Sequence, residues 1–300
     1  MNIAIIGCGE VGRCYADAFA KAGHRIVVLC DERPTDAVYK LAETLDAEVT
    51  TSAGEWAKKA DVIVSAVFGG VALSAAQRIF PFMQSRAIYA DMTTADPQHM
   101  QVAVESANAS NVRFVDVAIM GAVTATREAT PLICAGHGAD TIIKLMQSAG
   151  APIKLAGSRP GDAATLKLLR SIFTKGLEAL SIECLMTAEK MGLRKELYEV
   201  LSDIDQMRLP DFMELSVRTH ILHAKRRLKE VQEAKRLMTG NDLNPAVLNG
   251  VEELFERTSR ALDDAGEIDK SLAGSLNWLS ETAQTNTTPV SANHGDRNDD

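Results

Sequence analysis

The sequence predicts an α/β fold in which a doubly wound, mainly parallel sheet precedes an all-helical domain, the two joined by one long helix. As far as Leu155, short apolar runs alternate with helical stretches, which is the pattern of βαβ units. After Pro160 the periodic stretches are all helical, and Gly176 is the one helix-breaking residue between Gly161 and Gly192. A chain of 300 residues also exceeds what a single core usually fills. We expect domains over 1–160 and 161–284, with a disordered polar tail over 285–300.

The composition excludes several classes of protein. A net charge of −8 and a pI near 5.4 argue against general nucleic-acid binding and against attraction to anionic membranes. The five cysteines are scattered without CxxC spacing, which favours a reducing compartment and indicates no metal site. No apolar run approaches the roughly 20 residues of a membrane span, and no basic segment precedes the first strand. We therefore expect a cytoplasmic protein that contacts no membrane and no nucleic acid.

The first predicted strand leads directly into a glycine-rich turn. An apolar run over 2–6 is followed by Gly7-Cys8-Gly9-Glu10-Val11-Gly12, a helix over 13–22 and a second strand over 25–30. Such a turn lets backbone N–H groups and a helix N-terminus hold a pyrophosphate. A lone GxGxxG is weak evidence and fits a fortuitous turn equally well, whereas this placement between strand and helix is specific. We expect an N-terminal Rossmann domain that binds a dinucleotide through these six residues.

Charged residues follow the second strand. Asp31 comes 19 residues after Gly12, where an acid accepts hydrogen bonds from the adenosine ribose hydroxyls. Its carboxylate would repel a 2′-phosphate and therefore favours NAD. Arg33 softens that preference, so NADP stays open as the cofactor. Glu32, which lies between Asp31 and Arg33, is also predicted to contact the cofactor.

The alternation of strands and helices continues to the end of the predicted sheet. Strands are predicted over 47–50, 61–67, 87–91, 112–117, 132–136 and 153–155, with helices over 77–83 and 97–107. In a doubly wound sheet, ligands bind at the carboxyl ends of the strands. The loops after Val67, Asp91 and Asp116 should therefore line the same crevice as the glycine turn. This places Ala66, Val67 and Phe68 beside the cofactor.

The long helix after Pro160 carries a polar stripe. On a helical wheel, Ser171 and Glu178 fall on the side of Lys167, while Leu168 and Ile172 fall on the opposite side. The pattern alone favours a solvated face of an amphipathic helix. The alternative is a polar wall along a cleft, with Lys167 as its reactive group. Further helices are predicted over 195–205, 209–239 and 245–264.

Taken together, these segments resemble the β-hydroxyacid dehydrogenase family, which includes 3-hydroxyisobutyrate dehydrogenase, tartronate semialdehyde reductase and 6-phosphogluconate dehydrogenase. Residues 7–28 look like its cofactor fingerprint. Residues 91–97 are similar to its D-x-S-T-x-x-P loop, so the resemblance implies cofactor contacts at Thr93 and Thr94, the latter near the nicotinamide. Residues 161–167 look like its G-x-x-x-x-x-K segment. The resemblance implies that Lys167 faces the cleft and is the catalytic general acid and base.

The sequence also departs from the family pattern. Family members often read D-A-P-V-S-G-G where this chain has Met120 and Ala122 in place of the serine and second glycine. Ser171 replaces the asparagine that normally follows the lysine by four. A basic cluster over 223–227 stands near the position of a Lys-Asp pair and resembles a little-characterised branch of the 6-phosphogluconate dehydrogenase-like superfamily. By resemblance we expect a small anionic substrate at Met120, Gly121, Ala122, Ser171, Lys225 and Arg226, other than plain hydroxyisobutyrate or glycerate.

Three functions remain open from the sequence. The leading one is an NAD(P)-dependent dehydrogenase that acts on a hydroxy acid or a related alcohol. The related imine reductases share the architecture, but they often carry an acidic or aromatic proton donor, which Lys167 argues against. A nucleotide-binding regulatory protein without catalysis is the third. The long helix and the C-terminal helices also present apolar faces that one subunit cannot cover, so we expect a homodimer in which 209–239 packs on a second chain.

Overall fold

The computed structural model describes residues 1–93 and 96–284. The predicted tail over 285–300 and the predicted cofactor residue Thr94 lie outside the described residues. The chain divides into two compact units, with the boundary between Phe173 and Thr174. The domain limits at 160/161 and 284/285 stay a prediction.

The first unit is built on one eight-stranded sheet in the order β3-β2-β1-β4-β5-β6-β7-β8. Neighbouring strands run parallel except β6 and β7, which are antiparallel. The predicted doubly wound, mainly parallel sheet is confirmed. The strands are β1 Asn2–Ile6, β2 Arg25–Cys30, β3 Glu48–Thr50, β4 Val62–Ser65, β5 Ile88–Asp91, β6 Arg113–Ile119, β7 Leu132–Gly136 and β8 Ile153–Gly157.

Helices cover both faces of this sheet, which explains why the strands read as continuous apolar runs. In β1, Ile3 and Ile5 belong to one hydrophobic core, and Ala4 and Ile6 belong to the core on the other face. The helices are α1 Glu10–Lys21, α2 Asp36–Leu45, α3 Gly69–Ile79, α4 Pro97–Ala109, α5 Val123–Thr126 and α6 Ala139–Ser148, with short 3-10 turns at Glu55–Lys59, Phe80–Phe82 and Arg127–Ala129.

One helix of this unit differs from its prediction. The sequence places a helix over 77–83, whereas α3 runs from Gly69 to Ile79 and a 3-10 turn follows it at Phe80–Phe82. The Gly69-Gly70 pair has low helix propensity and conceals the true start. Pro81 cannot continue the α-helical hydrogen bonds and marks the end. Helices α2 and α6 were not predicted at all.

The remaining described chain is helical, as predicted. The helices are α7 Asp162–Lys190, which crosses the boundary between the units, α8 Arg194–Val200, α9 Ser202–Asp205, α10 Leu209–Gly240, α11 Ala246–Ala261 and α12 Leu272–Gln284. The single helix predicted over 195–205 is two short helices, and α12 was not predicted.

Helix α7 reaches the start of α11 through one side chain of the second unit. The buried carboxylate of Glu183 accepts hydrogen bonds from Val247 N at 2.5 Å and Leu248 N at 3.2 Å. A carboxylate at a helix N-terminus satisfies N–H groups that have no partner within the helix.

In the described ranges no helix combines the length and apolar composition that crossing a bilayer requires.

Candidate functional site

The glycine turn after β1 requires glycine for steric reasons. Gly7 has φ +84°, and a Cβ there would lie 2.7 Å from the Ala66 carbonyl oxygen. A Cβ on Gly12 would lie 2.0 Å from the Gly7 carbonyl oxygen, so only glycine lets α1 approach the turn this closely. Backbone hydrogen bonds tie the turn to both neighbouring strands, from Gly7 N to Cys30 O at 2.8 Å and from Ala66 N to Ile6 O at 2.7 Å.

The geometry of this turn fits a dinucleotide. A Cβ built on Gly9 would meet no atom within 4 Å, so the backbone there borders open space. Gly9 is also the N-cap of α1, and because it has no side chain it offers the first turn of that helix no side-chain capping bond. N–H groups without a partner, together with the helix dipole, form a site for an anion such as a pyrophosphate.

Asp31 is bonded to the glycine turn. Its Oδ2 accepts a hydrogen bond from Cys8 N at 2.7 Å, and its Oδ1 accepts one from Arg33 N at 2.9 Å. The next residue, Glu32, forms an ion pair of 2.9 Å with Arg78 of α3. The carboxyl end of β2 therefore carries two carboxylates and two guanidinium groups.

The thiols of Cys8 and Cys30, at this turn, are unreactive near neutral pH. Burial, with the charge of Asp31 as a second cause, raises the pKa of Cys8 to about 12 and that of Cys30 to about 11. The thiolate is the nucleophilic form of cysteine, and these groups stay protonated near neutral pH. We therefore assign neither cysteine a nucleophilic role.

A cavity of about 990 Å³ runs along the carboxyl ends of the strands. It brings together twelve predicted site residues, namely Gly7, Gly9, Glu10, Val11, Asp31, Glu32, Arg33, Ala66, Val67, Phe68, Thr93 and Lys167. The predicted residues Cys8 and Gly12 are part of the turn itself but are absent from the lining. Glycine turn and candidate lysine therefore border one cavity within the first unit.

Lys167 lies near the start of α7 and is half-buried. Burial of the amine lowers its pKa below the usual value of a lysine, because removal from water disfavours the charged form. The first turn of α7 can approach the sheet because its residues there are small. Ala163 is fully buried against Ala118 of β6 and Ala135 of β7.

Two buried carboxylates lie side by side on the central strands, Asp91 as the last residue of β5 and Asp116 in the middle of β6. Asp91 of β5 and Asp116 of β6 are register partners, and they are 2% and 1% exposed. Asp91 Oδ1 accepts a hydrogen bond from Thr93 N at 2.8 Å, and Asp116 Oδ2 accepts one from Ala164 N at 2.9 Å. Burial raises the pKa of Asp91 to about 6, and it raises the pKa of Asp116 as well.

The predicted substrate residues of the first unit are not among the residues that line this cavity. Met120, Gly121 and Ala122 follow β6 but are not among its lining residues. Met120 N donates a hydrogen bond of 2.8 Å to Pro131 O, and the Ser171 hydroxyl donates one of 3.0 Å to the Lys167 carbonyl oxygen.

The two basic substrate candidates belong to the second unit. There Lys225 pairs with Asp263, and Arg226 pairs with Glu230.

Within the described ranges, no group of three or more His, Cys, Asp or Glu side chains is arranged to hold a metal ion.

Sequence reasoning missed several residues of the cavity. Val71, Ala75 and Arg78 lie on α3, whose start was concealed by the glycine pair. Polar residues after β3 and apolar residues beside the strand ends complete the set, including Thr51, Ser52, Ala53, Met92 and Ile119. The charge of Arg78 was visible in the sequence, but only the course of α3 brings it to the end of β2.

Family comparisons match both parts of the chain. Residues 2–157 match the family described as the NAD-binding domain of 6-phosphogluconate dehydrogenase. Residues 188–258 match a domain of unknown function, DUF1932. These matches confirm the predicted resemblance, including the branch with a little-characterised C-terminal helical domain.

Individual proteins show the same likeness. An uncharacterised 28.5 kDa protein in the 7S RNA 5′ region of Methanothermus fervidus is 28% identical over 256 residues, which covers 85% of this chain and 98% of that protein. The conserved protein MTH1747, whose structure is described as similar to 3-hydroxyacid dehydrogenases, is 29% identical with a TM-score of 0.62, covering 87% of this chain and 97% of that one. An imine reductase variant from Myxococcus stipitatus, solved with NAD⁺, has a TM-score of 0.75 at 15% identity, covering 93% of this chain and 99% of that one. At that identity the likeness shows the fold alone.

Proposed function

The chain belongs to the family that carries the NAD-binding domain of 6-phosphogluconate dehydrogenase, and from this premise we propose that it is an NAD(P)-dependent oxidoreductase acting on a CH–OH group. The substrate is a small hydroxy acid or a related alcohol, or the corresponding carbonyl compound in the reverse direction. One observation carries the proposal: a half-buried lysine and a glycine turn that fits a dinucleotide line the same cavity.

In this proposal the nicotinamide cofactor supplies the hydride chemistry when bound. The amine of Lys167 takes the proton of the substrate hydroxyl during oxidation and returns it to the carbonyl oxygen during reduction. The oxidation therefore converts an alcohol and NAD(P)⁺ to a carbonyl compound, NAD(P)H and one proton. A lysine whose pKa lies below its usual value is better suited to this exchange, because more of it is neutral near physiological pH.

The cofactor would be held by the glycine turn and by the end of β2. Backbone N–H groups of the first turn of α1 would bind the pyrophosphate. Asp31 would accept hydrogen bonds from the adenosine ribose, since each of its oxygens retains a lone pair beside its backbone bond. Its negative charge supports NAD as the preferred cofactor. The positive charge of Arg33 and Arg78 would attract the 2′-phosphate of NADP, so NADP remains an alternative cofactor.

Turnover against a substrate panel tests the proposed function. The purified chain is incubated with NAD⁺ or NADP⁺ and a set of 2- and 3-hydroxy acids, sugar acids and neutral alcohols, and the reduced cofactor is followed by absorbance. The reverse reaction is assayed with matching carbonyl compounds and with cyclic imines. We expect turnover of at least one anionic hydroxy acid. Turnover confined to imines would replace the proposal by imine reduction, and tight cofactor binding without any turnover would favour a regulatory protein.

We also propose that the protein is a homodimer. The apolar side of α7 is largely uncovered in the single chain, where Ile172 is 73% exposed and Leu169 is 55% exposed. Large apolar side chains along α8 to α10 are exposed as well, among them Tyr198, Val200, Leu209, Met213 and Leu222. Large apolar side chains exposed in such number are usually covered by a partner, and a second copy of the chain would bury them on both subunits.

A further inference from the structure

Asp116 binds the helix that carries Lys167. It sits in β6 with 1% of its surface exposed, and its Oδ2 accepts a hydrogen bond of 2.9 Å from Ala164 N. Ala164 lies in the first turn of α7, where backbone N–H groups have no partner within the helix. Other backbone groups at this helix start, those of Gly161 and Ala163, also stabilise the charge of Asp116.

Burial of the Asp116 carboxylate has a free-energy cost, which its hydrogen bond to α7 partly offsets. A buried carboxylate is unfavourable unless hydrogen bonds and dipoles compensate it. Here the compensation is partial and comes from the start of one helix: Oδ2 accepts the bond from Ala164 N, Oδ1 has no hydrogen-bond partner among the described residues, and burial still raises the pKa of Asp116. The carboxylate and the helix start are therefore interdependent: displacing either one leaves the other uncompensated inside the protein.

The hydrogen bond lies one helical turn from the lysine. Ala164 precedes Lys167 by three residues, so both belong to adjoining turns on one side of α7. Ala163 and Ala164 are buried, and Ala163 packs on Ala118 of β6, two residues beyond Asp116. Strand β6 thus holds the start of α7 by an apolar contact and by a charged hydrogen bond.

We propose that Asp116 is a positioning residue for Lys167, which it acts on by fixing the first turn of α7 to strand β6. The importance of this position for catalysis rests on the function proposed above, but the structural tie does not. Asp116 is not itself a proton donor to substrate, since it is buried and is not among the residues that line the cavity.

The test measures the pKa of Lys167 and the hydrogen exchange of the segment around it, and it needs no substrate. Lysines are labelled by reductive ¹³C-dimethylation, the Lys167 signal is assigned by its loss in Lys167→Arg, and its pKa is titrated by NMR. Hydrogen exchange of the peptide over 161–170 is followed by mass spectrometry. The variants are Asp116→Ala, which removes the acceptor, and Asp116→Ser, whose hydroxyl is too short to reach Ala164 N. Asp116→Asn keeps an acceptor and serves as the conservative rescue.

The matched control is Asp162→Asn. Asp162 is the first residue of α7 and its side chain contacts Arg159, so this variant removes a carboxylate from the same helix end but leaves the tie to β6 intact. It separates loss of the Asp116 hydrogen bond from a general change in charge at the helix N-terminus.

In Asp116→Ala we expect the pKa of Lys167 to rise toward its usual value as the amine becomes more exposed. Exchange over 161–170 should be at least about tenfold faster, with peptides of β1 and β4 unchanged. Asp116→Ser should behave alike and decides the test if the alanine variant does not fold. Asp116→Asn should restore most of the wild-type values.

Wild-type pKa and exchange in Asp116→Ala or Asp116→Ser would overturn the inference. So would an equal response of Asp162→Asn, which would point to helix charge alone. An active Lys167→Met would instead overturn the proposed chemistry and leave the result on Asp116 standing.

Discussion

The Asp31 carboxylate accepts a hydrogen bond of 2.7 Å from Cys8 N, so the acid at the end of β2 is bonded to the centre of the glycine turn. The side chain that we propose to bind the ribose thus also stabilises the loop that would bind the pyrophosphate. Substitution at Asp31 should accordingly affect both halves of the dinucleotide site.

The first prediction concerns cofactor preference. The wild type should bind NADH more tightly than NADPH, because the Asp31 charge opposes a 2′-phosphate. Asp31→Asn keeps an acceptor for Cys8 N and loses the charge, so it should bind NADPH better while its affinity for NADH falls. The preference should change by about tenfold, or roughly 1.4 kcal/mol. Cofactor fluorescence titration measures both constants without a substrate.

The control for this prediction is Glu48→Gln. It removes an exposed carboxylate of β3 and its ion pair with Lys59 but changes neither the glycine turn nor the lining of the cavity, so affinity for NADH should stay close to wild type. A wild-type enzyme that preferred NADPH tenfold or more would contradict the assignment of Asp31 as the determinant of NAD binding.

The second prediction concerns Asp91 and pH. Its pKa in the folded protein is raised to about 6 from 3.8, so between those pH values the folded state holds a proton that the unfolded state releases. The contribution of Asp91 to stability therefore falls as pH rises from about 4 to 6 and is constant above that. Asp91→Asn cannot ionise and should be more stable than the wild type above pH 6, by about 1–3 kcal/mol.

Urea unfolding at several pH values checks this result. The advantage of Asp91→Asn should vanish below about pH 3, where the wild-type carboxyl is protonated in both states. A variant less stable than the wild type at pH 7 would mean that the charged hydrogen bond to Thr93 N outweighs the cost of burial.

The third prediction concerns assembly. Light scattering should give a dimer at micromolar concentration, and Ile172→Glu should shift it toward monomer, because a charge on the apolar side of α7 would be buried without a partner. Tyr39→Glu is the control, since Tyr39 of α2 is 52% exposed but lies outside the C-terminal helices. A wild-type monomer, or equal effects of both substitutions, would contradict the proposed homodimer.

The sequence predicted the sheet and the glycine turn well because their physical signals are local. Strands buried on both faces read as unbroken apolar runs, and β1, β2 and β7 have the predicted bounds. The start of helix α3 was missed because its first residues, Gly69 and Gly70, have low helix propensity, and the cavity residues Val71 and Ala75 were missed with it.

Contacts made by the backbone could not be predicted in the same way. The bond from Cys8 N to Asp31 and the bond from Ala164 N to Asp116 depend on where two distant segments meet, and neither donor has a side-chain signature. The helical wheel of α7 was also ambiguous, because a polar stripe fits a solvated face as well as the wall of a cleft, and large apolar side chains on the opposite side are themselves exposed in the single chain. It was the resemblance of 161–167 to a family motif that singled out Lys167.

The last prediction tests the chemistry of Lys167. Substitution by methionine keeps most of the length of the side chain and removes the titrating amine. Because Lys167 is half-buried at a cavity, Lys167→Met should leave the melting temperature and the affinity for NADH nearly unchanged. Turnover of the best hydroxy acid from the panel should fall by about 10²- to 10⁴-fold, the range for loss of a general acid–base group.

The pH dependence of kcat/KM is a second measurement of the role of Lys167. Oxidation needs the neutral amine, so kcat/KM in that direction should rise with pH and level off above the pKa of Lys167, which burial holds below the usual value. Lys167→Met should lack that limb of the profile. Lys175→Met is the control, because the Lys175 side chain is 75% exposed and pairs with Glu178 at 2.6 Å, and its loss should change turnover by less than about twofold. If the two variants lost turnover equally and slightly, Lys167 would be an ordinary cavity lysine, and the proton would have to come from another group.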